Sequence, residues 1–115
     1  MDNNINFEEL IENVRTWGLE RDLESQLPEK QFTKVIEEIG ELAEGLSKNK
    51  QELIIDAFGD VLVTLIILNM QLMDQGTLDF DQDLKYCLQV AYNEIKDRKG
   101  KTINGVFIKQ DDLRQ

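Results

Sequence analysis

Apolar residues in this chain recur every three or four positions rather than every second one, which is the period of helices and not of half-buried strands. Phe7, Leu10, Ile11, Val14 and Trp17 trace one face of a first helix, expected over residues 5–24 with Gly18 as its weak point. Pro28 suits the first turn of a second helix, expected over 28–47, whose stripe is Val35, Ile36, Ile39, Leu42, Ala43 and Leu46. After a polar turn at 48–50, a third helix over 51–75 is apolar on nearly every side beyond Asp60. Gly76 marks the next turn. Asp79 or Asp81 is placed to cap a fourth helix over 80–98, with Leu84, Leu88, Ala91 and Ile95 on one face, and Gly100 ends it. The remaining tail, 101–115, reads as irregular or briefly extended.

The expected fold is therefore all-α: one four-helix, bundle-like domain over residues 1–115. A helix that is apolar all round needs more cover than three neighbours in so short a chain supply, which predicts a homodimer or homotetramer joined through helical faces. The run Val61–Met73 has 13 residues and includes Thr64, Asn69 and Gln71. A membrane span needs about 20 apolar residues, so a buried helix is expected instead. No charged-then-apolar leader precedes the first helix and Cys87 has no second cysteine to pair with, so a cytoplasmic protein is expected.

Composition narrows the chemistry. Twenty-three acids against 13 bases give a net charge of −10, which repels the phosphates of nucleic acids. The chain has no His, which removes the usual zinc sites, the His-dependent triads and the Glu-x-x-His pairs of di-iron bundles. Oxygen ligands remain.

Glu38 and Glu41 are three apart, about 60° round a helix, and flank the apolar stripe of the second helix, with Glu37 beside them. Asp56 and Asp60 are four apart on the third helix, about 40° round it, and Asp60 opens the most apolar segment of the chain. If the two helices form a hairpin, the four carboxylates Glu38, Glu41, Asp56 and Asp60 share one site. Two unit charges about 5 Å apart repel by roughly 3 kcal/mol at an effective dielectric near 20, so such a site needs protons or a cation. Mg²⁺, or Mn²⁺, suits an all-carboxylate donor set. The same spacing also serves a solvated face, and an acid at position 60 also serves as a helix-start cap or ion-pair member. Glu44 points further round and is expected to face solvent.

The segments KVIEEIGELAEGL and DAFGDVLVTLIIL, separated by a short polar turn, resemble the MazG-like all-α nucleotide pyrophosphohydrolases, and the tail YNEIKDRKGKTINGVFIK is similar to that of small phage-type and Firmicutes-type members. The likeness covers about residues 30–110. The family pattern Glu-Glu-x-x-Glu followed by Glu-x-x-Asp falls on Glu37, Glu38, Glu41 and Asp60. Where the family has its third Glu this chain has Ala57, with Asp56 one residue earlier. The resemblance implies a Mg-dependent hydrolase that splits a nucleoside triphosphate, deoxynucleotides included, between the α- and β-phosphates. In it Glu38, Glu41 and Asp60 bind metal, Asp56 either stands in for the missing Glu with a shifted reach or leaves three carboxylates and an added water, and Glu37 takes the proton of the attacking water.

Lys96, Arg98, Lys99 and Lys101 form a basic cluster interrupted by Asp97, and together with Asn93 they are candidates for holding the substrate's outer phosphates. Cations at a helix C-terminus equally complement its dipole. Trp17 and Tyr92 offer stacking surfaces, but at helical spacing they read as core. Two other functions fit the same residues: a non-catalytic helical interaction or regulatory module, and a nucleotide-binding relative whose turnover is weakened by Ala57.

Overall fold

The computed structural model describes residues 4–114, so residues 1–3 and 115 of the expected domain lie outside the described residues. The helices form where the periodicity places them: α1 Phe7–Leu19, α2 Pro28–Lys48, α3 Gln51–Asp74 and α4 Leu84–Ile95. A two-stranded antiparallel sheet, β1 Gly100–Ile103 with β2 Val106–Lys109, follows. The fold is thus all-α apart from a hairpin where the tail was expected to be briefly extended. The chain divides into two compact units, residues 4–84 and 85–114 among those described.

In the first unit, Asn6 caps α1 reciprocally: its Oδ1 accepts from the Glu9 backbone N–H at 2.8 Å while its Nδ2 donates to Glu9 Oε1 at 3.3 Å. The helix stops five residues short of expectation. Its last bonds tighten, Arg21 N–H to Gly18 O and Asp22 N–H to Leu19 O, and Asp22 then turns left-handed at φ 57°. A short 3-10 turn, Leu23–Ser25, follows and is tied to α3 by side-chain amides. Gln71 Nε2 donates to Leu23 O at 2.9 Å, and Gln75 Nε2 donates to Glu24 O and Gln26 O. Gly18 is buried because a Cβ there would lie 2.6 Å from Ile67 Cδ1, so α1 and α3 meet closely at this point.

α2 and α3 form the main packing pair, a helical hairpin closed by Asn49 in the left-handed region at φ 51°. Lys50 N–H to Gly45 O and Asn49 N–H to Leu46 O satisfy the last carbonyls of α2. Gly45 is buried against Leu53 and the Ile54 backbone, which lets the helices touch beside the turn. The core is Val35 with Ala57, Ile66, Ile67, Met70 and Met73.

α3 is long and apolar enough to cross a membrane by length and composition, a property it shares with core helices of globular proteins. The expectation of a short apolar run understated it, because apolar residues before Asp60 extend the run in the N-terminal direction. Its C-terminal half is the buried part, where Asn69 donates to Gln82 O at 3.1 Å. Leu53, Ile55, Phe58 and Leu62 remain exposed on the other half.

α4 begins at Leu84 rather than residue 80, and from Lys85 on it belongs to the second unit. The Asp79 N–H donates to Gln82 Oε1 and the Gln82 N–H to Asp79 O, a self-closed turn that keeps 79–83 out of the helix. Neither Asp79 nor Asp81 is therefore next to its first residue. The helix ends at Ile95, three residues early, where the Arg98 N–H closes on Ile95 O and the backbone then extends into β1. Asn104 and Gly105, both at positive φ, make the two-residue hairpin turn. Gly100 is required at the sheet's start, since any Cβ would strike Ile108 O and the Phe107 ring.

Candidate metal and phosphate site

The hairpin of α2 and α3 assembles the acids. Glu38 and Glu41 project from successive turns of α2, and Asp60 from α3. One carboxylate oxygen from each lies within 4.8 Å of the other two. Glu38 and Asp60 are half-buried and Glu41 is exposed, so the cluster sits in a rim with its opening to solvent.

Crowding and partial burial both disfavour ionisation. The Glu38 carboxyl is held above its ordinary value first by loss of hydration, then by its contact with the Glu41 carboxylate, and by the charges of Glu41, Asp60 and Glu37. Asp60 is raised as well, first by loss of hydration and then by the charges of Asp56 and Glu41. Among the described residues, Glu38 Oε2 is buried without any hydrogen-bond donor. A carboxyl with one orphaned oxygen, clustered with two more carboxyls, is a donor set that a hard divalent cation fits. The three residues supply oxygen only, in keeping with Mg²⁺ or Mn²⁺ chemistry.

Of the other candidates, Asp56 does not join the three-oxygen cluster. It is exposed and lines an open cleft of about 340 Å³ together with Glu41, Glu44, Lys48 and Leu53. The expected four-carboxylate group therefore divides: three acids converge, and the fourth acts on Asp60 through its charge. Ala57, in the position of the family's third Glu, is 2% exposed and packed in the core. Glu37 is exposed and its Oε2 takes an ion pair from Lys34 at 3.4 Å.

Asn93, Lys96, Arg98, Lys99 and Lys101 all lie in the second unit and are exposed, Asn93 accepting a hydrogen bond from Gln89 Nε2 at 3.1 Å. Trp17 and Tyr92, read as core, are instead exposed. Trp17 carries the Arg21 guanidinium 4.3 Å over its ring and borders an apolar hollow with Leu10, Asn13, Val14 and Val63.

Sequence reasoning placed Glu44 in solvent, where it lies, and residue 48 in the polar turn, without pairing the two. Lys48 Nζ donates to Glu44 Oε1 at 2.6 Å, and this bond and charge, with a smaller contribution from Lys50, hold the Glu44 carboxyl below its ordinary value. The signal was present in the i, i+4 acid–lysine spacing at the end of α2. Both residues line the cleft that begins at Glu41.

Residues 26–89, more than half of the chain, match the family described as the MazG nucleotide pyrophosphohydrolase domain. The chain is also 45% identical over 65 residues to an 18.2 kDa protein of the rep-hol intergenic region of Haemophilus phage HP1, strain HP1c1, which is itself described as uncharacterized. That match takes in 56% of this chain and 40% of the phage protein's length. No solved structure matches the chain. Both hairpin helices, and with them Glu38, Glu41 and Asp60, fall inside the family match.

Proposed function

Since this chain belongs to the MazG nucleotide pyrophosphohydrolase domain family, we propose that it hydrolyses nucleoside triphosphates, deoxynucleotides included, between the α- and β-phosphates, releasing the monophosphate and pyrophosphate. The observation that carries this reading is the convergence of Glu38, Glu41 and Asp60, one carboxylate oxygen of each within 4.8 Å of the others, at a glutamate whose Oε2 is buried without a hydrogen-bond partner. These three would hold Mg²⁺ or Mn²⁺, and a bound dication would supply charge neutralisation for the phosphates and activation of water at neutral pH.

The chain's own residues do the rest. Glu38 and Asp60 come from two packed helices, so their separation is fixed by the α2–α3 interface rather than by a loop. Glu37 is the proposed proton acceptor. It is one residue from Glu38, exposed, and ion-paired with the exposed Lys34 at 3.4 Å. In-line attack at the α-phosphorus forms the new P–O bond as the bond to the bridging oxygen breaks, and the electron pair leaves with pyrophosphate. Asp56 is proposed to tune Asp60 by charge rather than to ligate.

Incubation with each NTP and dNTP plus Mg²⁺, with product identification, tests the assignment. Wild type yields monophosphate and pyrophosphate, and Glu38→Ala or Asp60→Ala abolishes both. Diphosphate with orthophosphate would reject the proposed bond.

We further propose a homodimer or homotetramer. Leu53, Ile55, Phe58 and Leu62 on α3 and Leu10 and Trp17 on α1 are exposed within one unit, large apolar side chains that a second copy would cover. Sedimentation equilibrium reads this directly: a monomeric mass at micromolar concentration would remove it.

A further inference from the structure

The cleft beside the acids has a direction. Glu44 and Lys48 follow Glu41 along α2, and Asp56 precedes Asp60 on α3, so the cleft runs from the three-acid cluster toward the turn that joins the helices. Its wall is charged except for Leu53, and Leu53 also borders a larger open hollow of about 560 Å³ with Lys50, Gln51 and Glu52. A phosphate chain already neutralised in part by a dication would find Lys48.

We propose that Lys48 is the residue that receives the pyrophosphate leaving group, reaching it through the cleft that shares Glu41 with the metal-binding acids. This rests on the hydrolase reading above and adds the orientation of the substrate: reacting phosphorus at Glu38, Glu41 and Asp60, outer phosphates toward the α2–α3 turn. The Lys48 ammonium has three N–H donors, and Glu44 takes one at 2.6 Å, which leaves donors for phosphate oxygens while fixing where the nitrogen sits. Among the described residues lining the cleft, Lys48 is the one cation. Glu41, Glu44 and Asp56 on the same wall make the cleft repel a bare polyanion, so it favours the metal complex over free pyrophosphate.

The test uses the full chain and inorganic pyrophosphate as probe. Calorimetric titrations of pyrophosphate at saturating Mg²⁺, of nucleoside monophosphate at saturating Mg²⁺, and of Mn²⁺ alone are compared for wild type, Lys48→Ala, Lys48→Arg and Lys30→Ala, the last an exposed lysine near the start of α2. Loss of a charge-assisted hydrogen bond predicts that Lys48→Ala weakens pyrophosphate by about tenfold or more, while Lys48→Arg stays within about threefold of wild type. Monophosphate and Mn²⁺ affinities stay within about twofold in every variant, and Lys30→Ala resembles wild type throughout.

Equal pyrophosphate affinity in Lys48→Ala and wild type overturns the proposal, as does a parallel fall in Mn²⁺ affinity, which would make Lys48 a support for the acids. Wild type that fails to bind pyrophosphate overturns it too. Wild type that binds Mg-pyrophosphate through Lys48 but produces no monophosphate removes the hydrolase reading and leaves the anion site standing.

Discussion

Glu38 on α2 and Asp60 on α3 each bring a carboxylate oxygen within 4.8 Å of the other, and both carboxyls are pushed above their ordinary values. Two helices packed on each other, with Val35 and Ala57 buried, hold these acids at a distance their own charges oppose. Without a counter-charge the site works against the fold, and with one it reinforces it.

Acid should therefore relieve the metal-free protein. A carboxyl raised by folding binds its proton more tightly in the native state than in the unfolded chain. Its contribution to stability is present in full below the unfolded value of about 4 and is lost as pH rises through the raised native value. In chelator, Glu38→Gln should melt higher than wild type at pH 7.5 and show a flatter melting profile between pH 4 and 7. Adding Mg²⁺ should raise the wild-type midpoint and leave that of the variant nearly unchanged. A variant with the wild-type profile in chelator would mean that the crowding of Glu38 has no energetic consequence.

Ala57 gives a second lever. At 2% exposure it sits in the helix interface three residues before Asp60, where the resembling pattern carries Glu. Ala57→Glu should cost the metal-free protein about 1–3 kcal/mol, because a carboxylate enters packed space. It should also tighten Mn²⁺ binding by adding a fourth ligand on the correct face. Urea unfolding and Mn²⁺ titration measure the two effects, and weaker Mn²⁺ binding in the variant would show that position 57 does not face the cluster.

Gly18→Ala checks the packing rather than the chemistry. A Cβ would meet Ile67 Cδ1 at 2.6 Å and Met70 Cε at 2.9 Å, both ends of flexible side chains. Overpacking of this kind costs about 1–3 kcal/mol, against the ~1 kcal/mol that Ala gains over Gly inside a helix, so the urea midpoint should fall modestly with unchanged slope. A midpoint raised by the full helix-propensity gain would place α1 farther from α3 than the structure has it.

Attack at the α-phosphorus has an isotopic signature. In ¹⁸O-water the label should enter the monophosphate and be absent from pyrophosphate, as mass spectrometry of the products will read. Label in pyrophosphate would place the attack on the β-phosphorus.

How much of this was legible in the sequence follows from what periodicity can carry. The i, i+3, i+4 stripes located all four helices, and the spacing of Glu38, Glu41 and Asp60 made their convergence readable once a short turn joined the two helices. Helix ends were less readable. Residues 79–83 stay out of α4 because the Gln82 side chain closes back on Asp79, and α1 stops where Asp22 turns left-handed, neither of which leaves a periodic trace. Asp56 was grouped with Asp60 by rotation alone, and the 40° between them is enough to put one in the cleft wall and the other in the cluster. Lys48 was taken for part of a polar turn and Glu44 for a solvent-facing acid, which its exposure bears out. That both line a cleft beginning at Glu41 depends on where α3 packs.

The central claim, one cation shared by acids from two helices, is tested most directly by a double-mutant cycle on Mn²⁺ affinity with wild type, Glu38→Ala, Asp60→Ala and the double variant. The account predicts that each single change removes most of the binding and that the double variant loses little more, since the two groups serve one ion. Wild-type affinity in either single variant would contradict it.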